Sequence, residues 1–118
     1  ATAGDEDTLS QKIDDVRARI AFYASTPAYR AAFATHGLGD LADELKHLSR
    51  AQRWGEMQKF ISDDILHTYA CVGKFEEIAA KISDRYGSLA TNIEFSIPVQ
   101  NDADLERLKV ILSKLKAA

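Results

Sequence analysis

A single cysteine, Cys71, leaves this chain of 118 residues without an internal disulfide. That carries no redox-compartment signal beyond compatibility with the cytosol, and a cytoplasmic location is expected. No apolar run is long enough to span a bilayer, so no membrane partner is expected. Basic residues are outnumbered, 15 Lys and Arg against 18 Asp and Glu, and the two signs interleave. A nucleic-acid binder shows a basic face, and none is visible here. The three histidines, His36, His47 and His67, lie far apart, with no His-x-x-x-His or Cys-x-x-Cys pair. His67 and Cys71 are four apart but fall on or beside an expected strand rather than one helical face. Zinc needs about four spaced ligands, so no metal site is expected. There is no internal repeat, low-complexity tract or dividing linker. The first residues, Ala1-Thr2-Ala3-Gly4-Asp5-Glu6-Asp7, are polar and acidic and do not read as a signal peptide. The missing initiator Met fits a processed chain or one cut from something longer.

What is present is ordinary for a soluble globular protein. Apolar residues make up 46% and charged residues 28%, and the length suits one domain with a modest core. Leu9, Ile13, Val16, Ile20 and Tyr23 recur at spacings of three and four, which predicts an amphipathic helix behind an acidic start. Its charged residues, Lys12, Asp15, Arg17 and Arg19, read as a solvated surface. Ser25-Thr26-Pro27 then signals a new helix, with Thr26 as cap and Pro27 at the first helical position. Tyr29 and Phe33 stand one turn apart on it. Gly37 ends it, and Gly39 with Asp40 predicts a corner and a cap. Leu41, Leu45 and Leu48 stripe the next helix; Trp54, Met57, Phe60 and Ile61 stripe another, with residues 52–55 between them. Residues 5–66 thus read as a helical segment.

The pattern changes in residues 67–117, which read as strand, helix, strand, helix. Thr68-Tyr69-Ala70-Cys71-Val72 is a β-favouring run ending at Gly73. Phe75, Ile78, Ala79, Ile82 and Tyr86 mark a helix. Residues 92–97 alternate strictly, with Ile93, Phe95 and Ile97 on one face, and stop at Pro98. Asn101 or Asp102 caps a last helix striped by Leu105, Leu108, Ile111 and Leu115. The fold class is therefore α/β and helix-rich, with two parallel strands joined by a crossover.

Three constellations could carry chemistry. At Val72-Gly73-Lys74-Phe75 a strand turns into a helix, whose free N–H groups with Lys74 could hold a phosphate; Glu76 and Glu77 equally satisfy that terminus as a plain turn. At the corner, Tyr23, Tyr29 and Arg30 could grip a carboxylate or phosphate; alternatively the tyrosines pack and Arg30 pairs with a local acid. Cys71 has no nameable base beside it and reads as a small core residue. The adjacent pairs Asp14-Asp15, Asp63-Asp64 and Glu76-Glu77 point in different directions and form no acid/base dyad.

The run Arg19-Ile20-Ala21-Phe22-Tyr23-Ala24-Ser25-Thr26-Pro27-Ala28-Tyr29-Arg30 resembles a stretch of the luciferase-like, flavin-type oxidoreductases, especially the subgroup that uses the deazaflavin coenzyme. The match continues in order through His36-Gly37-Leu38-Gly39-Asp40-Leu41, Leu48-Ser49, Trp54-Gly55-Glu56-Met57, Ile61-Ser62-Asp63-Asp64, Val72-Gly73 and Arg85-Tyr86-Gly87. Lys74-Phe75 stands where the family commonly has Thr-Pro.

The resemblance implies the C-terminal portion of a TIM (β/α)₈ barrel. Residues 68–72 would be strand seven and residues 92–97 strand eight, with the opening acidic helix following strand six. It also implies hydride transfer or monooxygenation of a small organic substrate by a parent enzyme carrying deazaflavin coenzyme or FMN. Tyr23, Tyr29 and Arg30 would lie toward the substrate, and Gly73 and Lys74 toward the cofactor. The portion alone would lack activity and would associate with the missing barrel or with its own copies. The alternative is a non-catalytic α/β assembly domain, since two apolar strands in isolation expose their edges.

Overall fold

The computed structural model describes residues 1–117, and the chain divides into two compact units. One is continuous, Ile13–Ala70; the other joins Ala1–Lys12 to Cys71–Ala118. Among the described residues no helix is long and apolar enough to cross a membrane.

The continuous unit is helical throughout. Helix α1 (Glu6–Ser25) begins before it and runs into it. Asp5 starts that helix: the Thr8 N–H donates to Asp5 Oδ1 at 2.7 Å, which holds the Asp5 carboxyl below its ordinary value. Ile20, Ala21 and Ala24 are buried along its last turns. A 3₁₀ turn (Pro27–Tyr29) leads into α2 (Arg30–Ala34), and α3 (Gly39–Arg50) and α4 (Trp54–Met57) follow. A second 3₁₀ turn (Gln58–Phe60) precedes α5 (Asp63–Tyr69). Helix α2 packs on α3, and α3 on α4.

Two of these helices end in the same way. After α2, Gly37 takes a φ of 74°, the Leu38 N–H donates to Phe33 O at 3.0 Å, and the Gly37 N–H donates to Ala34 O at 2.9 Å. After α3, Gln52 takes a φ of 59°, with Arg53 N–H to Leu48 O at 2.9 Å and Gln52 N–H to Ser49 O at 3.0 Å. Both are Schellman motifs, one closed by glycine and one by a residue that carries a Cβ.

Three local expectations change here. Thr26 stands at the cap position, but its hydroxyl turns back and donates to Phe22 O at 3.1 Å, because Pro27 offers no N–H and the Tyr29 N–H is taken by the Thr26 carbonyl. Asp40 lies inside the first turn of α3, since that helix starts one residue earlier, at Gly39. Trp54 and Phe60 are exposed, and only Met57 and Ile61 of their stripe are buried, because α4 is a single turn and fixes one short face.

The other unit is built around a parallel pair of two-residue strands, β1 (Thr2–Ala3) and β2 (Gly73–Lys74). Thr2 faces Gly73 and Ala3 faces Lys74. The Gly73 N–H donates to Ala1 O at 3.1 Å and the Ala1 nitrogen to Cys71 O at 2.7 Å. Helix α6 (Phe75–Tyr86) packs on α7 (Asp102–Ala117), and Ile78, Ala79, Ile82 and Ile111 form the core. Cys71, Phe75, Tyr86, Phe95 and Leu115 pack around it. Asn101 caps α7, its Oδ1 accepting the Asp104 N–H at 2.9 Å.

The chain is thus a helix-rich α/β protein with two parallel strands, but they are not the two that the sequence suggested. Thr68 and Tyr69 close α5 instead of opening a strand. Ser62 accepts the Ile65 N–H, Asp63 and Asp64 favour the first turn, and the helix they start runs through to Tyr69. Pairing begins only at Gly73. Residues 92–97 form no strand, since a ladder requires a neighbour and none stands beside them among the described residues. Their alternation survives only in part as burial: Ile97 is buried and Phe95 half-buried, while Ile93, expected on the same face, is 40% exposed, and Glu94 and Ser96 are exposed as well.

Candidate functional site

The continuous unit carries an open groove of about 390 Å³. Val16, Arg19, Ile20 and Tyr23 of α1 line one side, and Tyr29, Ala32 and Phe33 the other; Tyr69, from the end of α5, completes it. The geometry follows from helical spacing. Residues 16, 19, 20 and 23 share one face of α1, and 29, 32 and 33 share one face after Pro27.

Aromatic rings dominate the lining. Tyr23 and Tyr29 meet edge-on, with centroids 5.5 Å apart at 89°, and they stay 50% and 49% exposed. Phe33 is buried and lies 4.7 Å from Tyr69, which also meets His36 at 5.4 Å. Burial pushes the Tyr69 phenol above its ordinary pKa, and its hydroxyl is buried without a hydrogen-bond partner among the described residues. Arg19 is exposed and has neither an ion-pair nor a hydrogen-bond partner among the described residues.

Of the three corner residues named from the sequence, the structure brings Tyr23 and Tyr29 together and takes Arg30 away. Arg30 grips Asp43 of α3 with two nitrogens, Nε to Oδ1 at 2.8 Å and Nη2 to Oδ2 at 3.0 Å. That hydrogen-bonded pair holds the Asp43 carboxyl below its usual range. Arg30 does not line the groove.

Gly73 and Lys74 lie in the other unit. Gly73 is buried, and a Cβ there would come within 3.1 Å of the Lys81 side chain and 3.3 Å of Glu77. Lys74 Nζ pairs with Glu6 at 2.9 Å, which raises its pKa, while the Lys74 N–H donates to Glu77 Oε2 at 3.0 Å. Lys81 Nζ donates to Val72 O at 2.9 Å. The start of α6 is therefore occupied by the chain's own carboxylate. No group of three or more potential metal ligands occurs among the described residues.

Three lining residues are not foreseen from the sequence: Arg19, Ala32 and Tyr69. Arg19 was set aside as surface, yet it falls in the series 16, 19, 20, 23, the spacing of the apolar stripe itself. Tyr69 was hidden by its assignment to a strand; Leu66 and Tyr69, three apart behind Ser62, carried the helical signal.

A family model described as luciferase-like monooxygenase matches residues 5–92, most of the chain. The chain belongs to that family. Among curated proteins, the uncharacterized protein Rv1360 of Mycobacterium tuberculosis is 41% identical over 85 residues, covering 72% of this chain and 25% of the relative. The uncharacterized protein Mb1395 of Mycobacterium bovis matches to the same extent. The chain thus spans about a quarter of the length of the curated relatives it matches. No solved structure gives a significant match.

Proposed function

We propose that this chain is the substrate-side portion of a flavin- or deazaflavin-dependent oxidoreductase, the C-terminal part of a (β/α)₈ barrel. The observation that carries the barrel reading is the β1–β2 pair. Two consecutive parallel strands lie side by side, joined by a helical crossover, as sequential strands of such a barrel do. On this reading β1 ends strand six and β2 belongs to strand seven. Among the described residues both outer edges of the pair are open, which favours association with the remaining barrel or with a second copy. A chain that sediments as a monomer at every concentration would count against that association.

The flavin-type cofactor general to the family supplies the redox chemistry when bound. The residues present here do not fit its phosphate. At Gly73-Lys74 the Lys74 N–H is taken by Glu77 and the ammonium by Glu6, and Glu76 and Glu77 already place two negative charges in the first turn of α6. The coenzyme belongs on the parts of the whole protein that lie outside this chain, and this chain supplies the walls of the organic-substrate site through Tyr23, Tyr29 and their neighbours. Alone it performs no turnover.

The test has two arms. Fluorescence titration of this chain with FMN and with deazaflavin coenzyme is expected to show no saturable binding. The full-length Mycobacterium tuberculosis relative is expected to bind one of the two, and to keep that binding when its matched quarter is replaced by residues 5–92 of this chain. A relative that binds neither coenzyme overturns the reading.

A further inference from the structure

We propose that the groove lined by Tyr23, Tyr29 and Phe33 is a binding site for an amphipathic monoanion: a compact aromatic or aliphatic body ending in a carboxylate, which Arg19 holds. This rests on the reading of the groove as the substrate side of the protein. Its volume of about 390 Å³ lies in the range of small-molecule sites, roughly 300–1,000 Å³. Its floor is apolar, with Val16, Ile20, Ala32 and Phe33, and the two half-exposed tyrosines form walls on which a flat body can stack.

Charge decides the other end of the ligand. Arg19 is the cation of the lining, and no Asp or Glu lines the groove. A guanidinium keeps its charge at any working pH. Asp15 lies one turn earlier on α1, at the i, i+4 spacing of an ion pair, yet among the described residues the two make none. The groove therefore presents an uncommitted planar cation beside apolar surface. A neutral apolar ligand leaves that fork unused, and a cationic one is repelled. A carboxylate accepts two parallel N–H bonds from it.

The experiment titrates the 118-residue chain with 2-naphthoate and with the neutral 2-naphthamide, followed by ligand fluorescence. Naphthoate is expected to bind about tenfold more tightly than the amide, the size of one modest charge-assisted contact, and to weaken with added salt. Arg19→Gln, an exposed change, is expected to bring the ratio to about one, with the larger loss falling on naphthoate. Ala32→Phe fills the groove and is expected to weaken both ligands, with circular dichroism confirming an intact helical fold. Equal affinity of the wild-type chain for the two ligands overturns the proposal. So does a preference that survives Arg19→Gln, or a dimer that buries the groove and that naphthoate does not dissociate. No coenzyme enters this titration, so its failure is separate from failure of the coenzyme assay.

Discussion

In the Ile13–Ala70 unit, helices that pack together are neighbours in sequence: α2 lies on α3, and α3 on α4. In the other unit, Ala1 and Cys71 meet across seventy positions before α6 and α7 close on each other. The two also spend their polar groups differently. Around β2, two charges at the start of α6 are tied to partners in their own unit, Lys74 to Glu6 and Glu77 to the Lys74 N–H. The helical unit leaves two tyrosines half exposed and a guanidinium uncommitted beside them. A buried or paired polar group stabilises the fold and is spent. A polar group left free beside apolar surface can recognise a ligand. The comparison therefore separates the paired charges, Lys74 and Glu77 in one unit and Arg17 and Arg30 in the other, from Arg19, which stands beside apolar surface.

The largest expected effects come from the cores. Leu45 in α3 is fully buried and Ile111 in α7 is 1% exposed. Truncating either to alanine removes buried methylenes and leaves a cavity, so each should cost about 3 kcal/mol in urea denaturation. Hydrogen exchange should separate the two: Leu45→Ala accelerates α3 and α4, and Ile111→Ala accelerates α6. A uniform acceleration by both variants would dissolve the distinction between the units.

Next comes Arg17, whose side chain is 20% exposed. Its Nη1 donates to Ile61 O at 2.6 Å, and it forms a salt bridge with Asp63. Arg17→Ala should cost about 1.5 kcal/mol through the lost charged hydrogen bond to the carbonyl. The same pair sets a pH dependence. The Arg17 hydrogen bond holds the Asp63 carboxyl below its ordinary value. The bridge is then complete above the unfolded carboxylate range, near pH 4, and is lost as pH falls through the depressed folded value. The pair's small share of stability should therefore fade below about pH 4, and Asp63→Asn should remove that share alone, since Asp5, Asp43, Glu56 and Glu77 are also held low. The two Schellman motifs give a smaller, signed effect. Gly37→Ala should destabilise by about 1 kcal/mol, and Gln52→Gly should stabilise by a similar or smaller amount, since only glycine adopts the left-handed turn freely. Thermal melts would read both.

How much of this was legible follows the same division. The Pro27 start, the Gly37 stop and the Asn101 cap are local codes, and the structure keeps them; the helix stripes hold at Leu45 and Leu48 but not at Trp54, Phe60 or Leu105, which are exposed. The groove's two tyrosines were visible because Pro27 fixes the corner between them. The β1–β2 pair was not, since Thr2 and Ala3 carry no strand signal of their own and pair only because Gly73 and Lys74 arrive beside them. Residues 92–97 failed in the opposite sense: their alternation records only in part which side chains are covered, and alternation alone supplies no hydrogen-bonding neighbour. Arg19 shows a third kind of miss. Its spacing matched the stripe, but a charged residue was read by its type before its position.

The smallest expected effect falls on Arg30, and it decides where the site lies. Arg30 and Asp43 are each about half exposed, 48% and 50%. Water and salt screen such a pair, and an exposed bridge contributes little to folding even when its geometry is bidentate. Arg30→Ala should leave the thermal melt essentially unchanged. It should also leave naphthoate affinity unchanged, because Arg30 faces Asp43 and does not line the groove. Arg19→Gln sits eleven residues earlier and removes a cation of the same kind, yet it should abolish the preference for the carboxylate. If instead Arg30→Ala weakened naphthoate and Arg19→Gln did not, the anion would be held at the corner in competition with Asp43, and the contrast between spent and uncommitted charge would fail in the unit where it was drawn.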